Sequence, residues 1–231
     1  MDYLAEGVVK ALYLLLHGNA ETYSAMGATV SASTLSILAS LILGAPLGFL
    51  LGHYDFPGRR AVRSFTDTML CVPTVVIGLL VYAFLTRHGP LGSLGLLFTI
   101  PGIALGQTVL GLPIVVAMTA TAVEGLDERL SHTLMTLGAN RKQIFLTTLS
   151  EARFAIALAA VAAYGRIVSE IGISMMIGGN IKWHTRTITT AIALETGKGE
   201  FAMGIALGLV LLVVAFGVNL LTSMLRRRAG K

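Results

Sequence analysis

The sequence predicts an all-α, polytopic membrane protein with about five transmembrane helices. Three observations carry that prediction. First, the 231 residues are 55% hydrophobic and only 13% charged, with mean hydropathy +0.79. Soluble domains carry roughly 25% charged residues. A chain this poor in charge cannot wet its own exterior, so lipid must cover much of it. Second, five apolar runs reach or approach the ~20 residues that a spanning helix needs. Third, the basic residues gather in alternate links between those runs.

Taken in order, residues 1–18 read "MDYLAEGVVKALYLLLHG". They lack a basic stretch leading to a small-residue cleavage site, so no signal peptide is expected. The apolar run is too short to span, which predicts an interfacial amphipathic helix. The spans follow at about 24–52, 66–86, 93–123, 155–179 and 201–225. Pro101 and Pro113 interrupt the third, and the piece before Pro101 is expected as a separate short helix. Gly and Ala in 155–165 and 203–217 suit close helix packing. Cys71 is the single cysteine, so no intrachain disulfide or Cys-x-x-Cys site exists, and it reads as a small apolar residue of the second span. No repeat or second domain is visible, so residues 1–231 form one transmembrane domain.

Loop charge sets the orientation. Arg59, Arg60 and Arg63 follow the first span, Arg129, Arg141, Lys142 and Arg153 follow the third, and Arg226, Arg227, Arg228 and Lys231 end the chain. Five spans place all of these on one side. Lys10, Arg87, Lys182, Arg186 and Lys198 fall on the other. The N-terminus is therefore expected outside and the C-terminus in the cytoplasm, across the plasma (inner) membrane. The net charge of +5 does not indicate nucleic acid, because topology distributes it over several links.

Residues 126–150 form a polar island between the third and fourth spans. Asp127 can cap a helix, with Glu128 in its first turn. Leu126, Leu130, Leu134 and Leu137 make one apolar stripe. Gly138 supplies a left-handed stop. Asn140 with Gln143 has the spacing of a capping box that opens a second helix, whose apolar face is Ile144, Phe145 and Leu149. Two short cytoplasmic helices joined at a glycine follow. They suit either an amphipathic loop packed on the bundle or a knob that docks into a soluble partner.

Arg166 and Glu170 fall roughly 18 and 24 Å along a helix starting near Phe154. A lone charge at that depth costs at least ~2.5–3.5 kcal/mol. At i, i+4 the two can neutralise each other, and they must face protein or a watery path. They read either as a packing pair or as the lining of an anion path, with Thr74, Gln107 and Ser174 as further candidates for that lining. Asn180, Lys182, His184, Thr185, Arg186 and Thr187 follow at the external mouth, as an anion funnel, a protein-contact surface or a plain polar loop.

The segment "LSHTLMTLGANRKQIFL" resembles the coupling loop of binding-protein-dependent ABC importer permeases, whose pattern is E-A-A, three residues, G, nine residues, I-x-L-P. Leu137–Gly138–Ala139 match its centre. His132, Thr133 and Leu134 replace E-A-A, and Thr148, Ser150 and Glu151 replace the distal residues. Downstream, "YGRIVSEIGISMMIGGNIKWHTRTITTAIALE" is similar to the oxyanion permeases at Glu170, Gly172, Gly178 to Ile181, Thr185 and Thr187. "GAPLGFLLG" and "VPTVVIGLL" add to the likeness, which covers about residues 20–225 and is greatest to tungstate permeases, with molybdate and sulfate relatives next. The resemblance implies a homodimer, two copies of a separate ABC ATPase carrying the ATP, and an external oxyanion-binding protein. It implies ATPase coupling through Leu137, Gly138, Ala139, Asn140, Arg141 and Lys142. The chain itself is expected to be no enzyme and to hold no cofactor. No G-x-x-x-x-G-K-[ST] loop occurs, and the five histidines form no metal-ligand spacing. Two other classes remain open here: an ion-gradient-driven secondary anion transporter and a purely structural membrane subunit.

Overall fold

A computed structural model describes the backbone of residues 2–229 except Gly18 and Asp127, and side chains within 5–220 except at positions 15, 18, 127–129, 131, 132 and 218. Among the described residues the secondary structure is helical throughout. The order is α1 (Asp2–Leu16), α2 (Ala20–His53), α3 (Arg59–Met69), α4 (Thr74–Leu85), a 3-10 turn (Gly92–Leu94), α5 (Ile100–Glu124), α6 (Glu128–Thr136), α7 (Arg141–Glu151), α8 (Arg153–Val168), α9 (Gly172–Gly178), α10 (Ile188–Gly197) and α11 (Phe201–Ala229). The all-α polytopic class is as expected.

α5 is the central helix. Its residues Val115, Val116, Ala120 and Leu110 enter three separate apolar clusters, shared with α2, with α8 and with α4 plus α9. α2 packs along it through glycines one turn apart. A Cβ on Gly44 would lie 2.9 Å from Val115 Cγ1, one on Gly48 2.6 Å from Thr119 Cβ, and one on Gly52 2.6 Å from the Ala120 carbonyl. Close backbone approach is thus written into the first span by three missing side chains. The opposite face of α2 exposes Leu35, Leu38, Ile42 and Leu43, and α4 exposes Val75, Val76, Leu79, Leu80 and Phe84. Apolar faces of that extent need lipid or protein over them.

Two of the five predicted spans are not continuous helices. In the second, α3 and α4 meet at 101°. Pro73 precedes the first residue of α4; it brings no N–H and keeps Val72 out of the helical region. Cys71 lies in that turn and is exposed, which corrects its reading as a small apolar packing residue. The fourth run also breaks. α8 ends at Val168 and α9 starts at Gly172, so Glu170 sits in the gap and not on a continuous helix with Arg166. The third behaves as expected at its start: Thr99 caps α5 by accepting from Gly102 N at 3.1 Å, and the preceding turn is separate. Pro113 is carried inside α5.

Two elements were not anticipated as they stand. α1 packs along α11, burying Ala11 and Leu14 with Ala206, Leu207 and Val210, while Gly7 leaves room for Ile205. α10 follows the loop at 179–187 and opens with a capping box between Thr187 and Thr190. By length and composition, α2 and α5 can cross a membrane alone, and the α3–α4 and α7–α8 pairs pass only as bent pairs.

The glycine contacts yield a stability prediction. Gly48→Val should lower stability by about 2 kcal/mol or more, the scale of overpacking against a backbone that must move. Gly27→Ala, where nothing lies within 4 Å of the added carbon, should leave it unchanged or slightly raised. Thermal midpoints of the two variants in detergent check this.

Candidate functional site

The gap between α8 and α9 gathers most of the predicted lining residues. Glu170 is 3% exposed. Its Oε1 accepts from Gly172 N at 2.9 Å and Ile173 N at 3.3 Å. The side chain therefore caps α9, supplying an acceptor and a negative charge where the helix start offers free N–H groups. Its Oε2 accepts from Arg166 Nη1 at 3.2 Å. The two charges do pair, across the break and not along a helix face.

The backbone carbonyl of Glu170 is equally engaged. It accepts from Ser174 Oγ at 3.3 Å and from Thr189 Oγ1 at 3.1 Å. Gln107 Nε2 on α5 donates to Ser174 Oγ at 3.3 Å. Groups of α8, α9 and α10 thus converge on Glu170, and α5 joins them one step away, through Gln107 and Ser174. Of the five predicted lining residues, Gln107, Arg166, Glu170 and Ser174 come together. Thr74 is half-buried in the first turn of α4, outside this network, although its neighbour Val75 packs against Gly172. The Arg166 side chain remains 47% exposed. One of its faces is fixed by the buried carboxylate, and the rest of the guanidinium is open.

The loop between α9 and α10 divides into two kinds of residue. Thr185 is fully buried; its hydroxyl donates to the Gly178 carbonyl and accepts from Ile181 N at 3.2 Å. Thr187 is buried as the cap of α10. Both therefore hold the loop and do not line a mouth, a correction to Thr185 as a mouth residue. The Gly-Gly-Asn-Ile turn uses left-handed backbone at Gly179 (φ 69°) and Asn180 (φ 51°), and Phe98 occupies the space a side chain at 179 would need. Phe98 N also donates to Ile177 O at 2.8 Å.

Lys182, half-exposed, and Arg186, largely covered, both bind Glu21 at the start of α2. Lys182 Nζ lies 2.7 Å from Glu21 Oε2, and Arg186 Nη1 pairs with Glu21 Oε1. Arg186 Nε also donates to Asn180 Oδ1 at 3.2 Å. A cavity of about 420 Å³ opens beside them, lined also by Glu195 and Lys198. Glu21 was missed because no local spacing ties position 21 to 182 and 186.

In the hairpin, Gly138 has φ 74°, and Asn140 with Gln143 forms the reciprocal capping box at 2.9 and 2.8 Å. The first-helix cap at Asp127 lies outside the described residues. Leu137 is 77% exposed, so the apolar stripe of α6 ends in an uncovered residue. Arg141 and Lys142 are exposed in the first turn of α7. Phe145 ties the hairpin to the bundle by an edge contact with Phe49, ring centroids 4.9 Å apart.

A family model described as "binding-protein-dependent transport system inner membrane component" matches residues 44–231. The chain belongs to this family. It is 45% identical over 227 residues, 98% of its length and 95% of the relative, to a tungstate uptake system permease protein of Campylobacter jejuni. It is 31% identical over 88% of its length, and 94% of the relative, to a molybdenum transport system permease protein of Escherichia coli. The fold matches a chain of a bacterial alginate ABC transporter, solved with an alginate-bound periplasmic protein, with TM-score 0.76 at 21% identity, covering 95% of this chain and 83% of that one. Residues Gly138, Glu170 and Thr185 all fall inside the matched region of this permease.

The two kinds of loop residue predict different losses. Thr185→Val removes a buried donor and acceptor while keeping shape, and should cost roughly 2 kcal/mol. Lys182→Ala removes a half-exposed ion pair and should cost about 0.5 kcal/mol or less. Thermal denaturation in detergent separates the two.

Proposed function

We propose that this permease carries tungstate, or a closely similar tetrahedral oxyanion such as molybdate or sulfate, into the cytoplasm as the membrane part of an ABC importer. The observation that carries the substrate is the 45% identity, nearly end to end, to a tungstate uptake permease. The importer consists of a homodimer of this chain, two ATPase subunits on the cytoplasmic side and an oxyanion-binding protein outside. The N-terminus is external and the C-terminus cytoplasmic. ATP is bound and hydrolysed by the ATPase subunits, and this chain makes or breaks no covalent bond.

The hairpin at 126–150 is the coupling element. Leu137 and Ala139 flank a glycine whose left-handed turn fixes the angle between α6 and α7, while Asn140, Arg141 and Lys142 present polar groups beside the uncovered Leu137. A docked partner would cover that exposed apolar tip. Along the path, Arg166 offers positive potential to an anion while Glu170 limits how tightly the anion is held. A conducting route needs that restraint, since a deep trap would not release its ion. Lys182 and Arg186 supply positive groups at the entrance, with Glu21 as their resting counter-ion.

The test is reconstitution with the ATPase and the oxyanion-binding protein of a tungstate uptake system. Tungstate-loaded binding protein should stimulate ATP hydrolysis and uptake into proteoliposomes, and uptake by the permease alone under an ion gradient would overturn the proposal. Gly138→Val should abolish the stimulated hydrolysis while the protein remains in the membrane, because a β-branched residue is strained at positive φ. Coupling that survives this substitution would remove the hairpin from its assigned role.

A further inference from the structure

The cytoplasmic ends of α2, α3 and α5 carry a group of charges that the transport path and the hairpin tip do not use. α5 ends at Glu124, and the hairpin begins two residues later. A carboxylate in the last turn of a helix is disfavoured by the helix dipole, so Glu124 needs a compensating charge. It has two. Arg59 Nη2 lies 2.9 Å from its Oε1, and Arg63 Nη1 lies 3.7 Å from its Oε2.

The same arginines hold everything around them. Arg59 Nε donates to the Leu51 carbonyl at 2.9 Å and Nη2 to the Gly52 carbonyl at 3.4 Å. Those carbonyls lie in the last turn of α2, where the helix has no N–H of its own to offer. Arg63 Nη2 donates to Thr121 Oγ1, one turn before Glu124, at 2.6 Å. Arg59 therefore ties α3 to the ends of both α2 and α5, and Arg63 adds a second tie to α5.

Apolar packing does not do this. Of the eleven residues of α3, Thr66 alone is buried. The apolar side of α3, with Val62, Phe65 and Met69, faces a groove of about 540 Å³ against α2 and α5. Its other side faces a polar cavity of about 580 Å³. α3 is thus a short helix with room on both sides, positioned by an ionic clamp. Its far end is the 101° elbow into α4, and α4 packs on α9 through Gly78 and Ile173, next to the Glu170 gap.

We propose that Glu124 is a positioning residue: gripped by Arg59 and Arg63, it passes movement of the 126–150 hairpin to α3, and through the Leu70–Pro73 elbow to α4. The inference rests on the ATP-driven reading above and adds a second arm to it. The hairpin moves the end of α5, the clamp obliges α3 to follow, and α3 turns α4 about the elbow.

Cys71 is the single cysteine of the chain and is exposed at that elbow, so it reports the movement directly. The experiment measures the rate at which maleimide labels Cys71 in the reconstituted complex, nucleotide-free and trapped with ATP and vanadate, together with tungstate uptake per ATP hydrolysed. In the wild type the labelling rate should differ between the two states by at least about five-fold, the low end of allosteric coupling. In Glu124→Gln, with an unchanged thermal midpoint and assembled complex, that difference should fall below about two-fold and uptake per ATP should fall by about five-fold or more. Glu124→Asp should restore most of both. A wild-type complex that couples normally but shows no nucleotide-dependent labelling, or a Glu124→Gln complex that behaves as wild type, overturns the clamp and leaves the importer standing. A wild-type complex that does not couple at all overturns both.

Discussion

The structure turns on how a broken helix satisfies its own backbone. α8 stops at Val168 and α9 starts at Gly172, in a region the sequence assigns to the membrane. Lipid offers no hydrogen bonds, so every N–H and C=O released by such a break must find a partner within the protein. Glu170 meets that demand from both ends. Its carboxylate takes the first two N–H groups of α9, and its carbonyl takes the hydroxyls of Ser174 and Thr189. The cost of burying the charge is met by Arg166 and by those N–H groups together, since a buried carboxylate is tolerated when it is paired and hydrogen-bonded.

From that point the neighbouring elements acquire their positions. α10 is tied to the gap by Thr189 and to α2 by the bond from Ile188 N to Thr29 Oγ1 at 2.9 Å. α5 is tied to it by Gln107, and the close glycine contacts then carry the geometry from α5 to α2. Gly106 extends the same logic, leaving room for Ile173 and Ile177 of α9. Polar convergence fixes one end of this assembly and missing side chains fix the other. Neither alone would hold the nine-residue loop between α9 and α10 and two broken apolar runs in register.

Much of this was legible in the chain and some was not, for physical reasons. The Asn140–Gln143 box and the Gly138 stop are local devices, determined by residues within four positions, and they form as read. Hydropathy located the apolar runs, because lipid exposure is a property of composition. It was blind to their breaks, because a broken span is as apolar as a whole one. Pro73 was a visible sign of the first break. Glu170 followed by Gly172 was a sign of the second, a carboxylate placed where a helix start needs one, but the i, i+4 spacing to Arg166 fits a continuous helix equally well. Contacts such as Glu21 with Arg186, or Glu124 with Arg59, join positions far apart in the chain and leave no periodic trace. Thr185 looked like a mouth residue because polarity in a loop does not reveal which way a hydroxyl points.

The surface left by these constraints is incomplete as the surface of a single chain in lipid. Arg166 is pinned on one side by a carboxylate that is 3% exposed, yet nearly half of its own side chain is open. A guanidinium has five N–H donors, and those not engaged by Glu170 need a polar neighbour or water, never hydrocarbon. The same molecule exposes a row of large apolar residues on α4, whose first turn packs against Gly172, two residues from the carboxylate that pairs with that arginine. A polar opening bordered by an apolar face is poorly suited to bulk lipid and to bulk water alike. It suits a watery path whose other wall is protein, with the apolar rim buried and the charged centre wet. A second copy of the chain would supply such a wall, so the proposed dimer and the proposed anion path rest on one physical argument.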